Sequence, residues 1–214
     1  MLAAYSKGLF PMANSATDEQ IGWYCPKLRG QISITDMHIP RRLKKNLRQM
    51  KINGKPYDIR INTDFKHVIN ACARATDTRP ETWINQQITD AYCKLNEEGY
   101  AHSIECWQDN EMVGGLYGIA IGAAFFGESM FSTARDASKV ALVHLVARLH
   151  RAEFEILDTQ FTNEHLEQFG VYEISHKDYM KQLEPALNKQ CSFNFDNAKE
   201  IQIIEKYLDT SDIT

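Results

Sequence analysis

Two candidate β-strands joined by a short connection place the strongest limit on the fold of this chain. Residues 101–107 and 111–121 are predicted as strands, and Gln108-Asp109-Asn110 between them favours a turn. Strands joined this closely pair antiparallel. The second strand is rich in glycine, which indicates a bulge or the close approach of another chain or ligand. These glycines are Gly114, Gly115, Gly118 and, directly after the strand, Gly122.

Patterns typical of helices lie on both sides of these strands. Apolar side chains recur at helical spacing in residues 64–73 and 85–97, and a long helix is predicted from Asp136 or Ser138 to about His150. Further strands are predicted at 31–35, 123–126, 154–161 and 171–174, with a loop at 76–80 and a helix at 163–169. This combination predicts an α+β fold.

A basic helix is predicted after Pro40, at residues 41–51. Leu43, Leu47 and Met50 form one apolar stripe on it, and the cationic side chains lie mainly off that stripe. The pattern alone supports a solvated helix face and a nucleic-acid contact about equally. The formal net charge of −4 argues against nonspecific coating of nucleic acid by the whole surface, but it does not exclude a local basic patch.

Composition excludes several classes of protein. With 214 residues, of which 43% are apolar and 24% charged, the chain resembles a soluble globular protein and not a disordered, collagen-like or membrane-spanning one. No apolar run approaches the roughly 20 residues that span a bilayer. No secretory signal is recognisable, so a cytoplasmic location without a membrane partner is expected.

The common catalytic and metal-binding motifs are missing from the sequence. It contains no GxSxG elbow, no Walker-type phosphate loop and no HExxH motif. His144 and His150 do not share a helix face well, so no metal site is expected. The five cysteines include no CxxC pair and no thiol in an activating setting, and reduced, non-catalytic thiols are expected.

A series of motifs along most of the chain closely resembles one protein family. The first is Ala4-Tyr-Ser-Lys-Gly-Leu-Phe-Pro-Met, and the most specific are Gly127-Glu-Ser-Met-Phe-Ser, Asp136-Ala-Ser-Lys and Asp158-Thr-Gln. Shorter matches are Thr82-Trp-Ile, residues 99–105 and residues 113–118. In order from about Leu2 to Leu183, these segments are similar to the leucyl/phenylalanyl-tRNA–protein transferases.

The resemblance implies an activity, a fold and a division of the chain. Members transfer Leu, Phe or Met from aminoacyl-tRNA to the α-amino group of proteins that begin with Arg or Lys, which marks those proteins for N-end-rule degradation. The implied catalytic domain is GNAT-like and needs no cofactor. We expect a small, shortened N-terminal domain at 1–34, the GNAT-like domain at 35–187 and a C-terminal appendage at 188–214, in which residues 196–208 can form a surface helix. A monomer is expected.

Asp158 and Gln160 are the candidate catalytic residues. They are two positions apart on a predicted strand, so both side chains are expected on one face. The ester donor is already activated, and an α-amino group with a pKa of about 7.7–8.0 is partly neutral near pH 7, so no enzyme nucleophile is required. In the roles that the resemblance implies, the Gln160 carbonyl orients the amine and Asp158 holds the Gln160 amide. Spacing alone also fits a polar pair that closes a strand end.

Glu128 is the candidate residue for binding the acceptor peptide. Its carboxylate follows a strand and a glycine, where it can meet the ammonium group or the side-chain cation of an N-terminal Arg or Lys. The alternative is that Glu128 pairs with a nearby arginine, for which Arg135 is a candidate, or with a helix N-terminus.

An apolar pocket is expected to hold the side chain of the transferred amino acid. The resemblance and the neighbouring motif strands indicate seven residues for it, although hydrophobic core is the simpler interpretation of any one of them. A methionine suits a pocket that accepts Leu, Phe and Met, because its side chain is unbranched and adaptable. The seven residues are Leu116, Phe125, Met130, Leu142, Leu145, Leu149 and Leu157.

Trp83 and the basic helix are the candidate RNA contacts. The resemblance places the terminal adenosine on Trp83, where stacking of a base contributes roughly 1–3 kcal/mol; core packing is the alternative. Many relatives have a tryptophan where this chain has Met12, and Trp23-Tyr24 is a candidate substitute. In the basic helix, the residues that correspond to the family's cationic cluster, and are expected to contact phosphates, are Arg41, Lys45 and Arg48.

Two other functions stay open from the sequence. An acyl-CoA N-acyltransferase of the same fold class needs a glycine-rich turn before a helix to bind pyrophosphate, but residues 131–136 contain no glycine. The second alternative is a noncatalytic RNA-binding protein that uses the basic helix. The sequence does not indicate the relative preference for Leu, Phe and Met.

Overall fold

A computed structural model describes residues 1–75, 81–194 and 199–210, so the loop predicted at 76–80 lies outside the described residues. The strands are β1 (Phe10–Ala13), β2 (Ile21–Tyr24), β3 (Leu28–Ile32), β4 (Lys51–Ile52), β5 (Lys55–Pro56), β6 (Asp58–Ile61), β7 (Ala101–Gln108), β8 (Glu111–Ile121), β9 (Ala124–Ser132), β10 (Ile156–Gln160) and β11 (Tyr172–Ser175). The helices are α1 (Leu2–Tyr5), α2 (Arg41–Gln49), α3 (Phe65–Ala73), α4 (Gln86–Glu97), α5 (Ala137–Arg151), α6 (Glu164–Glu167), α7 (His176–Leu187) and α8 (Glu200–Thr210).

A seven-stranded sheet organises the described part of the chain, in the order β11-β3-β10-β9-β8-β7-β6. Within it, β9 and β10 are parallel and the other neighbouring strands pair antiparallel. Strands β1 and β2 form a separate two-stranded sheet, as do β4 and β5. Helices packed with a largely antiparallel sheet confirm the predicted α+β class.

The sheet separates two hydrophobic clusters. The α5 cluster contains buried residues of α2, α5 and α8, and the α4 cluster contains buried residues of α1, α3, α4 and α7. Successive side chains of β8 alternate between them, since Leu116 lies in the α5 cluster and Tyr117 in the α4 cluster. Residues on either side of one strand therefore belong to different cores.

The predicted glycine-rich hairpin is confirmed. Strands β7 and β8 pair antiparallel, and the connecting Asp109 and Asn110 have positive φ angles of 51° and 63°. Two consecutive left-handed residues suit a tight hairpin turn, and Asp and Asn tolerate that conformation well. The pairing shifts register between Cys106 and Trp107, which confirms the expected bulge.

The predicted helices at 64–73 and 85–97 are confirmed as α3 and α4. Asp64 and Asn85 cap them, because their side chains accept hydrogen bonds from the main-chain N–H groups of His67 and Ile88. Helix α2 ends at Gln49, earlier than predicted, because Met50 turns into the left-handed conformation with a φ of 49°.

Several predicted boundaries are wrong. Strand β9 continues to Ser132 instead of ending at 126, because pairing with β8 holds a Gly-Glu-Ser stretch of weak β-propensity in an extended form. Strand β3 occupies Leu28–Ile32 instead of 31–35. Helix α7 is missing from the prediction, although Ser175 and Asp178 form a visible helix-start pattern in which the Ser175 hydroxyl accepts from the Asp178 N–H.

The position of β3 bears on the expected division at residue 34. That division assigns β3 to the small N-terminal domain, yet β3 lies between β11 and β10 inside the main sheet. The division stays a prediction, and it does not fall at a break in the sheet.

The described part of the C-terminal tail packs into the core, and its separation as an appendage at 188–214 stays a prediction. In α8, Ile203, Ile204, Tyr207 and Leu208 are buried in the α5 cluster. Their apolar surface is removed from water against α5, so the helix belongs to the core. Among the described residues, no helix combines the length and apolar character needed to cross a membrane.

Candidate active site

The candidate active site lies where the parallel strands β9 and β10 separate. Their pairing covers residues 124–126 and 156–158, whereas β9 continues to Ser132 and β10 to Gln160. Each strand also has a bulge where it pairs with its other neighbour. In β9 the extra residue is Glu128, opposite β8, and in β10 it is Thr159, opposite β3. Such bulges bend a strand and redirect its side chains.

The bulge in β10 depends on close packing against β3. Gln160 has a φ of 57°, which is uncommon for a residue other than glycine. A Cβ atom on Gly30, the residue paired with Gln160, would lie 2.8 Å from Thr159 Oγ1 and 2.9 Å from the main-chain carbonyl carbon of Phe161. Any side chain at residue 30 would therefore displace the segment that carries Gln160.

Asp158 is fully buried and paired with a buried cation. Arg29 donates from Nε to Asp158 Oδ1 at 2.9 Å and from Nη2 to Oδ2 at 2.7 Å, and its Nη1 donates to the Gly8 carbonyl at 2.8 Å. The guanidinium carbon lies 4.8 Å from the ring centre of Phe10 and 4.7 Å from that of Tyr179. The geometry is that of a well-satisfied internal ion pair.

Tyr179 and the backbone complete the contacts of Asp158. The Tyr179 hydroxyl donates to Oδ2 at 2.6 Å, and the main-chain N–H of Gln160 donates to Oδ1 at 2.8 Å. Burial and the Asp158 carboxylate raise the pKa of Tyr179, so its hydroxyl keeps the proton that it donates. Asp158 therefore fixes the backbone turn at Gln160.

The expected contact between the Asp158 carboxylate and the Gln160 side-chain amide is not found. Asp158 accepts from the main chain of Gln160, whereas Gln160 Nε2 donates to Glu128 Oε1 at 3.3 Å. The bulge at Thr159 breaks the simple alternation of side chains that the prediction assumed. The residue that orients the amide is thus on the neighbouring strand.

Glu128 is held by neutral groups. Tyr5 donates to Oε1 at 2.7 Å and Tyr92 donates to Oε2 at 2.8 Å. The two tyrosine hydroxyls are also in contact, but each has a single hydrogen, so while both donate to the carboxylate neither donates to the other. Burial raises the pKa of Glu128 to about 7, although these two hydrogen bonds lower it. The alternative partner Arg135 instead approaches Asp136, with 4.0 Å between Nε and Oδ2.

Four residues of this site escape prediction from sequence. Tyr5 lies in the first motif, but nothing marks its hydroxyl as a donor to Glu128. Tyr92 is visible only as part of an apolar helix face, and Arg29 and Tyr179 carry no local signal. Only the fold brings these residues to the two carboxylates.

The seven predicted pocket residues come together. Six are buried in the α5 cluster, and Met130 is partly buried against it. Leu116 is paired directly opposite Met130, and Leu157 is paired with Phe125. The remaining three, Leu142, Leu145 and Leu149, are buried on α5 in the same cluster.

The predicted RNA contacts lie in two places. Trp83 is partly buried against the α4 cluster, and its carbonyl accepts from the Ala13 N–H, beside Met12, at 3.2 Å. Trp23, with 48% of its surface exposed, is paired with Pro11 on the neighbouring strand. On α2, buried Leu43 and Leu47 anchor the helix. A surface groove there is lined by Arg41, Lys44, Lys45, Arg48 and Gln49.

Comparison with known proteins places the sequence in one family. The sequence model described as Leucyl/phenylalanyl-tRNA protein transferase matches residues 31–184, and the model of that family's N-terminal domain matches residues 1–27. A solved structure of a conserved protein of unknown function from Staphylococcus epidermidis is similar only at a TM-score of 0.40 and 14% identity, over 69% of this chain and 57% of that one. That similarity carries no argument about the fold.

Curated relatives agree with the family match. The chain is 51% identical to the leucyl/phenylalanyl-tRNA–protein transferase of Paramagnetospirillum magneticum, over 91% of this chain and 90% of the relative. Identity to the enzyme of the same name from Caulobacter vibrioides is 52%, over 87% and 84% of the two chains. For Maricaulis maris the identity is 49%, over 91% and 88%. The chain therefore belongs to the leucyl/phenylalanyl-tRNA–protein transferase family and is an aminoacyltransferase.

Proposed function

We propose that this protein transfers Leu, Phe or Met from aminoacyl-tRNA to the α-amino group of proteins that begin with Arg or Lys, and so marks them for N-end-rule degradation. Family membership supports the aminoacyl-tRNA donor over the acyl-CoA alternative and an enzyme over a noncatalytic RNA-binding protein. The observation that carries the acceptor assignment is the Glu128 carboxylate, to which the neutral groups Tyr5, Tyr92 and Gln160 donate.

The acceptor amine would bind between Glu128 and Gln160. Glu128 in its ionised form attracts the cationic N-terminal residue, because a carboxylate and a cation make a strong charge-assisted hydrogen bond. The Gln160 amide donates through Nε2 to Glu128, which leaves its carbonyl oxygen to accept a hydrogen from the attacking amine. Glu128 then orients the amide, and Asp158 fixes the backbone beneath it.

The reaction needs positioning more than chemical activation. The neutral amine attacks the carbonyl carbon of the aminoacyl ester, a C–N bond forms and the C–O bond to the tRNA ribose breaks. The proton lost by the amine ends on the released ribose hydroxyl. A well-placed amine and ester supply much of the rate without an enzyme nucleophile.

The donor would be held at three places. The aminoacyl side chain enters the α5 cluster among Leu116, Met130 and Leu157, the terminal adenosine stacks on Trp83, and phosphates contact the groove on α2. The other residues of the pocket, and the residues that contact phosphates, are the ones predicted from the sequence. We also propose a GNAT-like catalytic domain, with which the parallel β9–β10 pair is compatible, and a monomer acting in the cytoplasm.

The decisive experiment measures transfer of labelled Leu, Phe and Met from charged tRNA to peptides that differ only in their first residue. Peptides starting with Arg or Lys are expected to accept the label, and a peptide starting with Ala is not. Equal labelling of the three peptides would contradict the proposed preference for N-terminal Arg or Lys. Gln160→Ala is expected to abolish most transfer while charged tRNA still binds.

A further inference from the structure

The C-terminal tail packs into the core although it lies beyond the residues that the family model matches. The match ends at residue 184, whereas Phe193 and four side chains of α8 are buried in the α5 cluster. That cluster also contains the proposed aminoacyl pocket. The tail is therefore in a position to influence which side chain the pocket accepts.

Phe193 packs directly on a proposed pocket residue. Its ring lies 5.4 Å from that of Phe125 with an angle of 25° between the planes, and 4.2 Å from that of His102 with an angle of 15°. On β8, a Cβ atom at Gly118 would lie 2.4 Å from the Phe125 ring. Gly118 and Phe193 thus confine the Phe125 ring, and Phe193 itself is only 3% exposed.

A polar clamp joins the tail to α5, the helix that supplies three proposed pocket residues. Arg148 Nη1 donates to the Phe193 carbonyl at 2.9 Å, and Arg148 also forms an ion pair with Glu200 at the start of α8. Glu200 Oε2 lies 3.8 Å from Nδ1 of the buried His144. Arg148 stands between Leu145 and Leu149 in the sequence of α5, so the clamp acts on the stretch of helix that carries them.

A hydrogen bond to a segment before α2 fixes the far side of α8. The Tyr207 hydroxyl donates to the Ile34 carbonyl at 3.0 Å, and its ring packs edge-on against His150 at 5.4 Å. The tail is therefore held at both ends of the stretch that covers α5.

We propose that Phe193 and the Arg148–Glu200 pair are positioning groups for the aminoacyl pocket, and that they set the preference between Leu and Phe by limiting how far Phe125 and α5 can move apart. This inference rests on the proposed function, in which Phe125, Leu145 and Leu149 line that pocket. A smaller side chain at residue 193 lets the Phe125 ring withdraw, so the pocket accepts a larger donor side chain more readily.

The test compares kcat/KM for Leu-tRNA and Phe-tRNA in wild type and Phe193→Leu, with one Arg-starting peptide as acceptor. The Phe-to-Leu ratio is expected to rise roughly fivefold or more, since small changes in an apolar pocket discriminate side chains on this scale. Ile201→Ala, which alters an exposed residue of α8 in the same C-terminal tail, is the control and is expected to leave the ratio unchanged. A purely structural role would lower both rates equally.

A second variant keeps the test decisive if Phe193→Leu fails to fold, as judged by its thermal unfolding. Glu200→Gln weakens the clamp without removing a core side chain, and is expected to move the same ratio in the same direction but by a smaller factor than Phe193→Leu. An unchanged ratio in every folded variant overturns this inference. Absence of transfer by the wild type overturns the proposed function, and this inference with it.

Discussion

Asp158 on β10 and Glu128 on β9 are carboxylates on neighbouring strands, but their surroundings differ in charge. Asp158 is paired with the buried guanidinium of Arg29, whereas the groups that donate to Glu128 are the neutral Tyr5, Tyr92 and Gln160. A buried charge with a full set of partners has little to gain from a ligand. In its ionised form, Glu128 instead bears a negative charge that the cationic N-terminal residue of an acceptor can neutralise. We therefore expect the first carboxylate to support the site and the second, as proposed, to meet the acceptor.

Breaking the Asp158 pair is expected to have the largest effect. Arg29→Met leaves a buried carboxylate without its cation, which costs about 3–5 kcal/mol of unfolding free energy. Denaturation with urea measures this loss. The control Arg60→Met removes an arginine from a solvent-exposed ion pair with Asp58, and is expected to cost less than about 1 kcal/mol. Similar small losses in both variants would show that Asp158 does not depend on its pair.

Neutralising the other carboxylate is expected to affect transfer more than stability. Glu128→Gln keeps an oxygen that can accept from Tyr5 or Tyr92 but removes the charge that faces the acceptor. We expect kcat/KM with an Arg-starting peptide to fall roughly ten- to a hundredfold, the effect of losing a hydrogen bond to a charged group. Glu184→Gln, at an exposed position on α7, is the control. Full transfer by Glu128→Gln would end the proposed role of this carboxylate.

Wild type and Glu128→Gln also test how the pH affects the free energy of unfolding. Burial raises the pKa of Glu128 from 4.5 to about 7, so the folded protein binds a proton more tightly than the unfolded chain. This contribution to stability is present at low pH and is lost as the pH rises from the unfolded pKa through the folded pKa. Wild type is therefore expected to lose about 3 kcal/mol relative to Glu128→Gln as the pH rises through both pKa values. Urea unfolding at several pH values measures the difference, and a constant difference would contradict the assignment.

Removing one neutral donor is expected to have the smallest effect. Tyr92→Phe deletes a hydrogen bond that lowers the pKa of Glu128, so that pKa should rise further, and the unfolding free energy should fall by about 1 kcal/mol. Tyr179→Phe, which removes a donor from Asp158, is the matched comparison and should leave the Glu128 titration almost unchanged. Carboxyl NMR shifts followed against pH distinguish the two. A lowered pKa in Tyr92→Phe would contradict the prediction.

Some elements of this fold follow from local patterns in the sequence. The Asp109-Asn110 turn and the caps at Asp64 and Asn85 each depend on residues a few positions apart, so a single segment carries the information. The motif that contains Glu128 likewise marks a site residue through its resemblance to a family. Neither the local patterns nor the family resemblance predicts the bulge that directs the Gln160 amide to Glu128.

The residues that bind Asp158 and Glu128 cannot be predicted from local sequence patterns. Arg29 meets Asp158 across 129 positions of the chain, and Tyr5 meets Glu128 across 123. Phe193 follows a polar stretch, yet it is buried because β9 presents Phe125 to it. Contacts of this kind arise from the order of strands in the sheet, which periodicity does not encode.

Strand β3 also shapes the order in which this chain can fold. Strands β6 to β9 lie side by side in chain order, so they can pair soon after they are synthesised. Strand β3 is made earlier, but its neighbours are residues 157–160 and 172–175, and closing so long a loop slows folding. We expect both edges of nascent β3 to stay unpaired until β10 and β11 have been synthesised and have left the ribosome. During that interval it is a natural site for chaperone binding or for mispairing with another chain.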